Sequence, residues 1–445
     1  MTHPSLQRRL APSLCRLAIS ACLVTLAASG CGGTPPPVRT KRPAAPIAPP
    51  FAQTTSVLIR GGTIWTGDGK VLPDTDVLLV DGKIAAVGKN LKLPQGAEVV
   101  AAKGKTVTPG LVDMHSHLGV YPAPYAKAHA DGNEMTTPLT PMVRAIDAFD
   151  PEDIAIPRAL RGGVTTALIL PGSGNIMGGQ ALYVKLRGKT VADMALRNPP
   201  RAMKMAMGEN PKRVHGRKGR QPMSRMGHGW LMRRQLHKAR ELRERQRRWR
   251  NGGKSQGKPR PKDPALEPLV ALLDGKIRLQ VHCYEVHDIE TLLRIAGEFG
   301  FKVAAIHHAL EAWKVPQLLR DHGVAVATFA DQWGFKMEAW DASARGPAIL
   351  WKAGVQVAIK TDHPVIDARD LMWEAAKAHH YGLPAQAAVA SVTSVPAKAI
   401  GLYKRLGSIT VGKDADVLLW AKDPLDVGAR PARVWVEGVQ WWPRK

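Results

Sequence analysis

The stretch Thr106-Val-Thr-Pro-Gly-Leu-Val-Asp-Met-His-Ser-His-Leu118 decides how the rest of the chain is interpreted. Its apolar run, residues 111–114, predicts a short buried β-strand. Side chains two residues apart on a strand point to the same face, so His115 and His117 project together. Neutral imidazole nitrogens bind Zn²⁺ at about 2.0–2.1 Å, and the pair is therefore half of a candidate metal site. Asp113 shares the face and is a candidate partner for one ring.

Apolar runs with β-strand character recur through the middle of the chain, and helical patterns such as residues 288–297 and 370–382 lie between them. Repeated β-then-α units predict a parallel sheet, and the length of residues 109–403 favours a (β/α)₈ TIM-type barrel. In such a barrel the functional side chains lie at the carboxyl ends of the strands. The runs are residues 163–170, 202–207, 277–281, 302–306, 323–328 and 354–359.

Residues that bind metals follow three of these runs. His282 follows residues 277–281, His307 and His308 follow residues 302–306, and Asp362 follows residues 354–359. We expect these side chains to converge with those of the first strand. Adjacent residues on a strand point to opposite faces, so only one of His307 and His308 is expected to be a ligand.

Two β-rich regions lie far apart in sequence, at residues 56–87 and 415–441. Gly-Gly and Asp-Gly pairs interrupt the first region and indicate hairpins. Both regions consist of short β-rich runs, and this similarity predicts a small composite β-sandwich formed by residues 55–108 and 404–445. The barrel is then inserted between its two parts.

The first 31 residues predict an export signal, because Arg8, Arg9 and Arg16 precede an apolar run at residues 17–28. Ala28-Ser-Gly-Cys31 resembles the lipobox of bacterial lipoproteins, so we expect lipid anchoring through Cys31 in the cell envelope, facing the periplasm or the exterior. Plain signal cleavage is the alternative. The run is shorter than the ~20 apolar residues of a membrane span.

Residues 32–54 are rich in proline and predict an extended tether. Cys15 and Cys22 lie within the predicted signal and Cys31 is the expected lipid site, so Cys283 is the remaining cysteine. No internal disulfide is therefore expected in the mature chain. We interpret Cys283 as a buried thiol of the core.

The positive charge of the chain is concentrated in one insert. The net charge is +26, and residues 212–262 hold 19 Lys and Arg against two Glu, a net charge of +17. Within the insert, residues 231–250 predict a helix with one apolar stripe and Arg on its other face. A solvated insert is the simplest interpretation, and docking on anionic lipid or polysaccharide is the alternative. Nucleic acid is not an expected partner of an exported protein. The stripe is formed by Met232, Leu236, Ala239 and Leu242.

Three motifs are similar to those of the amidohydrolase superfamily, in particular its imidazolonepropionase-like and prolidase-like branch. They are residues 109–117, Thr361-Asp-His-Pro364, and residues 396–401 with 407–416. The resemblance extends from Ser56 to the C-terminus. It implies a metal-dependent hydrolase, and the similarity of residues 311–315 favours His308 over His307. The implied ligands are His115, His117, His282, His308 and Asp362.

The resemblance also implies one or two divalent ions, with Zn²⁺ as the first expectation. In this family a carboxylated Lys or a Glu often bridges two ions; Lys204 matches that Lys, and Glu209 is the alternative. A divalent ion lowers the pKa of water towards about 7 and polarises a carbonyl. Asp362 is then the candidate general base for hydrolysis of a C–N amide bond in a dipeptide, N-acyl amino acid or cyclic amide.

Four further residues are candidates for substrate binding. Tyr284 and His363 flank the expected ligands, and Arg213, or Arg217, follows the strand of Lys204 and suits a substrate carboxylate. Glu285 completes His282-Cys-Tyr-Glu285, which resembles imidazolone hydrolases and nucleobase deaminases.

Two other functions therefore remain open. One is a mononuclear deaminase or imidazolone-type hydrolase that uses Glu285. The other is a non-catalytic surface-binding protein on the same scaffold. The Gly-rich residues 172–179 lack the Lys of a phosphate-binding loop, so we expect a loop at the mouth of the site.

Overall fold

The structure of the protein is a computed structural model that describes residues 51–443. The predicted export signal, Cys31 and most of the predicted tether lie outside the described residues. Among the helices of residues 51–443, none has both the length and the apolar character that a bilayer span requires.

The β-strands of the described residues are short and spread over the whole range. They are β1 (Val57–Trp65), β2 (Val71–Val80), β3 (Lys83–Gly88), β4 (Glu98–Ala101), β5 (Thr106–Pro109), β6 (Leu111–Ser116), β7 (Val164–Ile169), β8 (Met177–Gln180), β9 (Leu182–Lys185), β10 (Arg201–Ala206), β11 (Ile277–Cys283), β12 (Val303–His308), β13 (Ala325–Thr328), β14 (Val357–Ile359), β15 (Val417–Trp420), β16 (Pro431–Val436) and β17 (Val439–Trp442).

The α-helices lie between β6 and β15. They are α1 (Ala155–Arg161), α2 (Val191–Met194), α3 (Glu209–Gly216), α4 (Arg225–Arg248), α5 (Glu267–Leu273), α6 (Val286–Phe299), α7 (Pro316–Asp321), α8 (Gly346–Lys352), α9 (Leu371–His380), α10 (Ala385–Ser391) and α11 (Ser394–Ala399).

Strands from both ends of the described chain share one eight-stranded sheet, which we call the composite sheet. Its order is β17-β16-β15-β5-β1-β2-β3, and β4 also pairs with β1. The two ends join where β5 and β15 pair antiparallel, with Pro109 opposite Val417. Apolar residues of both ends, such as Ile59 and Trp435, pack in one core. The two ends therefore share one sheet, and the composite β-sandwich stays a prediction.

The region between the two ends alternates strands with helices, as predicted. Strands β6, β7 and β10 to β14 each begin within three residues of an expected apolar run. β6 pairs parallel with β7, and β10 to β14 pair parallel in chain order. Just beyond β14, the backbone N–H of Asp362 donates to the carbonyl of His115 at 2.9 Å, and that of His117 donates to the carbonyl of His363 at 3.0 Å. The last strand of this region is thus a neighbour of the first.

Residues 177–185 depart from the regular β-then-α alternation. They form β8 and β9, which are separated by Ala181, and no strand was expected here. β9 pairs antiparallel with β7, and β8 pairs antiparallel with β10. The predicted Gly-rich loop therefore ends at Ile176, and Gly179 lies within the strand, where a positive φ of 127° accommodates the close backbone of Val143.

The basic insert forms the expected helix with an earlier start. Helix α4 begins at Arg225 rather than residue 231, and the hydroxyl of Ser224 caps it by accepting from the Gly227 N–H at 3.2 Å. The helix packs against α5 and α6. The apolar stripe is confirmed, because all four of its residues are buried: Met232, Leu236, Ala239 and Leu242.

Candidate functional site

Side chains from the ends of five strands meet in one buried group, which we call the histidine cluster. The group lies at the carboxyl ends of the parallel strands. Asp362, at 9 %, is its most exposed member. The members are His115 and His117 from β6, Lys204 from β10, His282 from β11, His307 and His308 from β12, and Lys360 and Asp362 after β14.

The carboxylate of Asp362 is the point on which the cluster converges. Its Oδ1 lies 3.0 Å from His115 Nε2 and 3.1 Å from His117 Nε2. Its Oδ2 lies 3.7 Å from His308 Nδ1. The backbone of Asp362 has a φ of 56°, which is uncommon outside glycine, and this turn lies beside the end of β6. Ligand atoms of His115, His308 and Asp362 lie within 4.8 Å of one another, close enough to share a metal ion.

Hydrogen bonds determine which ring nitrogens remain available. His117 Nδ1 lies 2.7 Å from the carbonyl of Leu170 and must donate to it, so Nε2 is the nitrogen that faces Asp362. The hydroxyl of Ser173 lies 2.8 Å from His282 Nδ1. Nε2 of His282 and Nε2 of His308 are buried and have no hydrogen-bond partner among the described residues. Buried polar atoms normally have a partner, so these two nitrogens fit a ligand such as a metal ion.

His307 and His308 do not point to opposite sides, contrary to expectation. The centroids of their rings lie 4.6 Å and 5.1 Å from that of His115. His308 has a φ of 68°, so it leaves the strand geometry on which the expectation depended. His307 uses both nitrogens, with Nδ1 at 2.8 Å from His115 Nδ1 and Nε2 at 2.7 Å from Gln280 Oε1. His307 therefore orients His115, and His308 keeps a nitrogen for a ligand.

Lys204 lies inside the cluster. Its Nζ is 3.3 Å from His115 Nε2 and 3.3 Å from the carbonyl of Pro171. Burial lowers the pKa of Lys204 to about 7, although the carboxylate of Asp362 acts in the opposite direction. The lowered pKa makes the neutral amine accessible near pH 7.

Lys360 is a member of the cluster that we did not select from the sequence. Its Nζ lies 3.0 Å from His308 Nδ1, 3.7 Å from Asp362 Oδ2 and 3.5 Å from the centroid of the Phe329 ring. Burial lowers the pKa of Lys360 to about 8. Its place directly after an apolar run was a usable signal, because a lysine that ends a buried strand needs a partner inside the protein.

The electrostatics of the cluster favour metal-binding protonation states. Burial and the positive charges of nearby lysines hold the pKa values of His115, His282 and His308 well below their usual range. Burial alone would raise the pKa of Asp362, but the charge of Lys360 and the hydrogen bond with His115 hold it well below its usual range. Neutral imidazoles and an ionised carboxylate are the forms that bind divalent ions.

Three of the other predicted residues lie outside the cluster. Glu209 begins α3, and its Oε1 is 3.0 Å from Lys336 Nζ. Glu285 forms an ion pair with Arg225. Arg213 is exposed on α3. Of the two candidate bridging residues, the structure places Lys204 and not Glu209 beside the imidazoles.

The remaining predicted residues adjoin the cluster. The ring of Tyr284 stacks on that of His308, with centroids 4.8 Å apart and planes at 12°. His363 Nδ1 accepts from the N–H of Ala368 at 3.2 Å, which holds the segment after Asp362. Cys283 is buried, as predicted, and burial raises the pKa of its thiol well above the usual value.

Asp113 supports the cluster through the backbone rather than through a ring. Its Oδ1 accepts from the N–H of His115 at 3.2 Å, and its Oδ2 accepts from the hydroxyl of Thr361. It therefore connects β6 with the segment that carries Asp362. Burial raises the pKa of Asp113 to about 6.

Residues 315–440 match the family described as the amidohydrolase family, a segment that includes Asp362 and the last strands of the composite sheet. Amidohydrolase tasK of Hapsidospora irregularis is 39% identical over 420 residues, which are 86% of this chain and 43% of the relative. The chain thus spans less than half the length of that relative.

Two solved structures are matched over nearly all of their own length. A prolidase solved with n-methylphosphonate-L-proline is 17% identical, with a TM-score of 0.56 over 87% of this chain and 99% of that one, and shows a shared fold alone. An amidohydrolase from Thermotoga maritima MSB8 is 37% identical, with a TM-score of 0.82 over 87% of this chain and 100% of that one. Because this relative is matched over its whole length, the chain belongs to the amidohydrolase family.

Proposed function

We propose that the protein hydrolyses the C–N amide bond of a small molecule, such as a dipeptide, an N-acyl amino acid or a cyclic amide, with one or two bound divalent ions. The observation that carries this proposal is the convergence of imidazoles, a carboxylate and a lysine at one end of a parallel sheet. The similarity to a prolidase fold is compatible with the substrate class.

We also propose that residues 109–403 form a closed barrel of the TIM type with an antiparallel third strand. Two features support closure. Residues 177–185 pair with both β7 and β10, and the segment after β14 pairs with β6. The histidine cluster then lies at the carboxyl ends of the parallel strands. In this proposal residues 55–108 and 404–445 form the composite β-sandwich.

The donor set fits a divalent ion or a pair of ions. His115, His117 and Asp362 would hold one ion, and the two orphaned Nε2 atoms of His282 and His308 would hold a second. Nitrogen and carboxylate donors suit Zn²⁺. A bound divalent ion supplies positive charge that lowers the pKa of water towards about 7 and polarises an amide carbonyl.

Asp362 is the proposed general base. It is ionised because Lys360 and His115 hold its pKa low, and it borders the space between the imidazoles. In the proposed reaction Asp362 accepts a proton from the attacking water and gives it to the leaving nitrogen, so that the C–N bond breaks into a carboxylate and an amine. Tyr284 covers one face of His308 and is positioned to contact substrate.

Lys204 is the proposed bridging residue in its carboxylated form. Its neutral amine would attack CO₂ and form a carbamate with loss of one proton. The pKa of about 7 makes the amine available, and Nζ lies 3.3 Å from His115 Nε2. Carboxylation replaces a cation with an anion in a group that already contains the cation Lys360. The more negative charge of the group then favours binding of positive ions.

The mononuclear deaminase has less support, because Glu285 pairs with Arg225. Elemental analysis separates the cases. Two ions per chain support the bridged site, and one ion favours the mononuclear alternative. If the purified protein contains no metal and shows no turnover, the non-catalytic binding protein is the remaining alternative.

Turnover is tested by amine release from a panel of dipeptides and N-acyl amino acids. We expect Asp362→Asn to keep bound metal and to lower kcat by about 10³-fold or more, and His282→Ala to lose at least one ion. Asp367→Asn is the matched control, since Asp367 pairs with Arg158 outside the cluster. Unchanged turnover in Asp362→Asn would remove the proposed general base.

We further propose export and lipid anchoring through Cys31, for which the sequence of residues 1–31 is the support. Cys31→Ala should release the protein from the membrane fraction. Retention of this variant on membranes would exclude lipidation at Cys31.

A further inference from the structure

Large apolar side chains are exposed on two segments that follow the carboxyl ends of β10 and β13, the ends at which the histidine cluster is built. All six are more than half exposed, and Met226 reaches 84%. Soluble proteins seldom expose so many large apolar groups together without a partner. We call these residues the rim patch: Met223, Met226, Trp230, Trp333, Phe335 and Trp340.

Ion pairs join the two segments into one surface. Arg225, at the start of α4, donates to Glu338 Oε1 at 2.6 Å. Lys336 Nζ lies 3.0 Å from Glu209 Oε1. Lys336 also lies 3.8 Å from the centroid of the Tyr284 ring, which stacks on His308. The rim patch therefore borders the histidine cluster.

Positive charge continues from the rim patch along α4. Met226 and Trp230 are four residues apart and share a face of the helix, and Arg234 and Lys238 continue that face at the same spacing. Both cations are exposed. An apolar group followed by a row of cations is the pattern of surfaces that bind anionic membranes.

We propose that the rim patch and the outer face of α4 dock on an anionic lipid bilayer. Trp side chains suit the boundary between lipid headgroups and acyl chains, and each Lys or Arg near an anionic surface adds about 1 kcal/mol. The mouth of the site then faces the membrane.

Two other occupants have less support. A second copy of this chain, joined across a two-fold axis, would bring the basic insert, with a net charge of +17, against itself. A substrate would contact side chains that face into a pocket, whereas Trp333 and Trp340 are each 68% exposed.

The test is co-sedimentation of the full chain, carrying Cys31→Ser, with vesicles. One set contains equal amounts of phosphatidylglycerol and phosphatidylcholine, and the other contains phosphatidylcholine alone. We expect binding to the first set that weakens as NaCl is raised. Trp333→Ser with Trp340→Ser should weaken that binding at least tenfold. The control Trp351→Ser, at a 45% exposed tryptophan near the end of α8, should change it less than twofold.

A second pair of variants tests whether the position of the positive charge matters for vesicle binding, and not only its amount. Arg234→Ala with Lys238→Ala should weaken vesicle binding more than Lys276→Ala with Lys302→Ala, which removes equal charge near the starts of β11 and β12. All variants keep residues 1–50, so any binding by that segment is common to them.

Four results would overturn the proposal. They are equal effects of the two charge variants, unchanged vesicle binding in the double tryptophan variant, loss of soluble-substrate turnover in that variant with vesicle binding intact, and a dimer in sedimentation velocity that this variant abolishes. Circular dichroism and metal content confirm that each variant is folded.

Discussion

Two groups of buried lysines in this protein have opposite electrostatic properties. Lys185 of β9 pairs with Asp416 and lies 3.2 Å from Asp414, and these carboxylates outweigh burial and raise its pKa. Lys204 and Lys360 are equally buried, but burial outweighs the attraction of Asp362 and lowers their pKa values to about 7 and about 8. Lys185 is compensated by two carboxylates where two parts of the fold meet, whereas the poorly compensated Lys204 and Lys360 fit the proposed metal site.

The largest expected effect on stability comes from Lys185→Met. The substitution leaves two buried carboxylates short of a partner, and we expect the free energy of unfolding to fall by about 3–5 kcal/mol. Lys204→Met is the matched variant in the metal-free protein. It removes a buried cation whose charge is poorly compensated, and we expect stability at pH 7 to rise by roughly 1–4 kcal/mol.

Urea denaturation of both variants measures this contrast. Equal destabilisation by the two substitutions would show that the two groups do not differ as proposed. Lys204→Met should also lose bound metal, and Lys185→Met should retain it under conditions where it is folded.

A smaller effect is expected from Asp414→Asn. Asp414 accepts from Lys83 at 2.7 Å, and burial, which raises its pKa, is outweighed by Lys185 and Lys83, so that its pKa falls to about 2. A depressed pKa in the folded state contributes stability above the unfolded value of 3.8, and that stability is lost as pH falls through about 2.

We therefore expect Asp414→Asn to cost roughly 2 kcal/mol at pH 7 and about half of that at pH 3. Denaturation curves of the parent and the variant at the two pH values measure the difference. If the loss of unfolding free energy in Asp414→Asn stays constant or grows as the pH falls, Asp414 does not have this stabilising role. Asp426→Asn, at an exposed loop residue, is the control.

The smallest effect concerns metal uptake. Because the pKa of Lys204 is lowered to about 7, its neutral fraction rises about tenfold between pH 6 and pH 8. At fixed CO₂ pressure, uptake of Zn²⁺ by the metal-free protein should accelerate by a similar factor if a carbamate forms first. Atomic absorption of desalted samples follows the uptake. The same acceleration in Lys204→Met would exclude Lys204 as its source.

Much of the fold was predictable because the strands that carry the site are short runs rich in apolar residues. The pairing of the two ends of the described chain was also predictable, since residues 56–87 and 415–441 both consist of short β-rich segments. The antiparallel strand was missed because Met177–Gln180 contains two glycines and has no apolar alternation. The direction of β8 depends on its pairing with β10, and that of β9 on its pairing with β7, which local sequence does not reveal.

The histidines and Asp362 were predictable because each lies at or shortly after the end of a strand. The roles of Ser173, Gln280 and His307 were not, because each depends on a contact with a residue far away in sequence. The positive φ of His308 is likewise a property of the folded turn. Sequence therefore located the proposed ligands better than the groups that orient them.

The pairing of β5 with β15 has a consequence for biosynthesis. Pro109 and Val417 are partners, so β5 leaves the ribosome about 300 residues before the strand that covers its edge. At 5–20 residues per second this interval is roughly 15–60 s, during which the nascent chain presents an open edge prone to aggregation. A translation product truncated before β15 would keep that edge permanently, and a chaperone that shields it should raise the yield of the full-length protein.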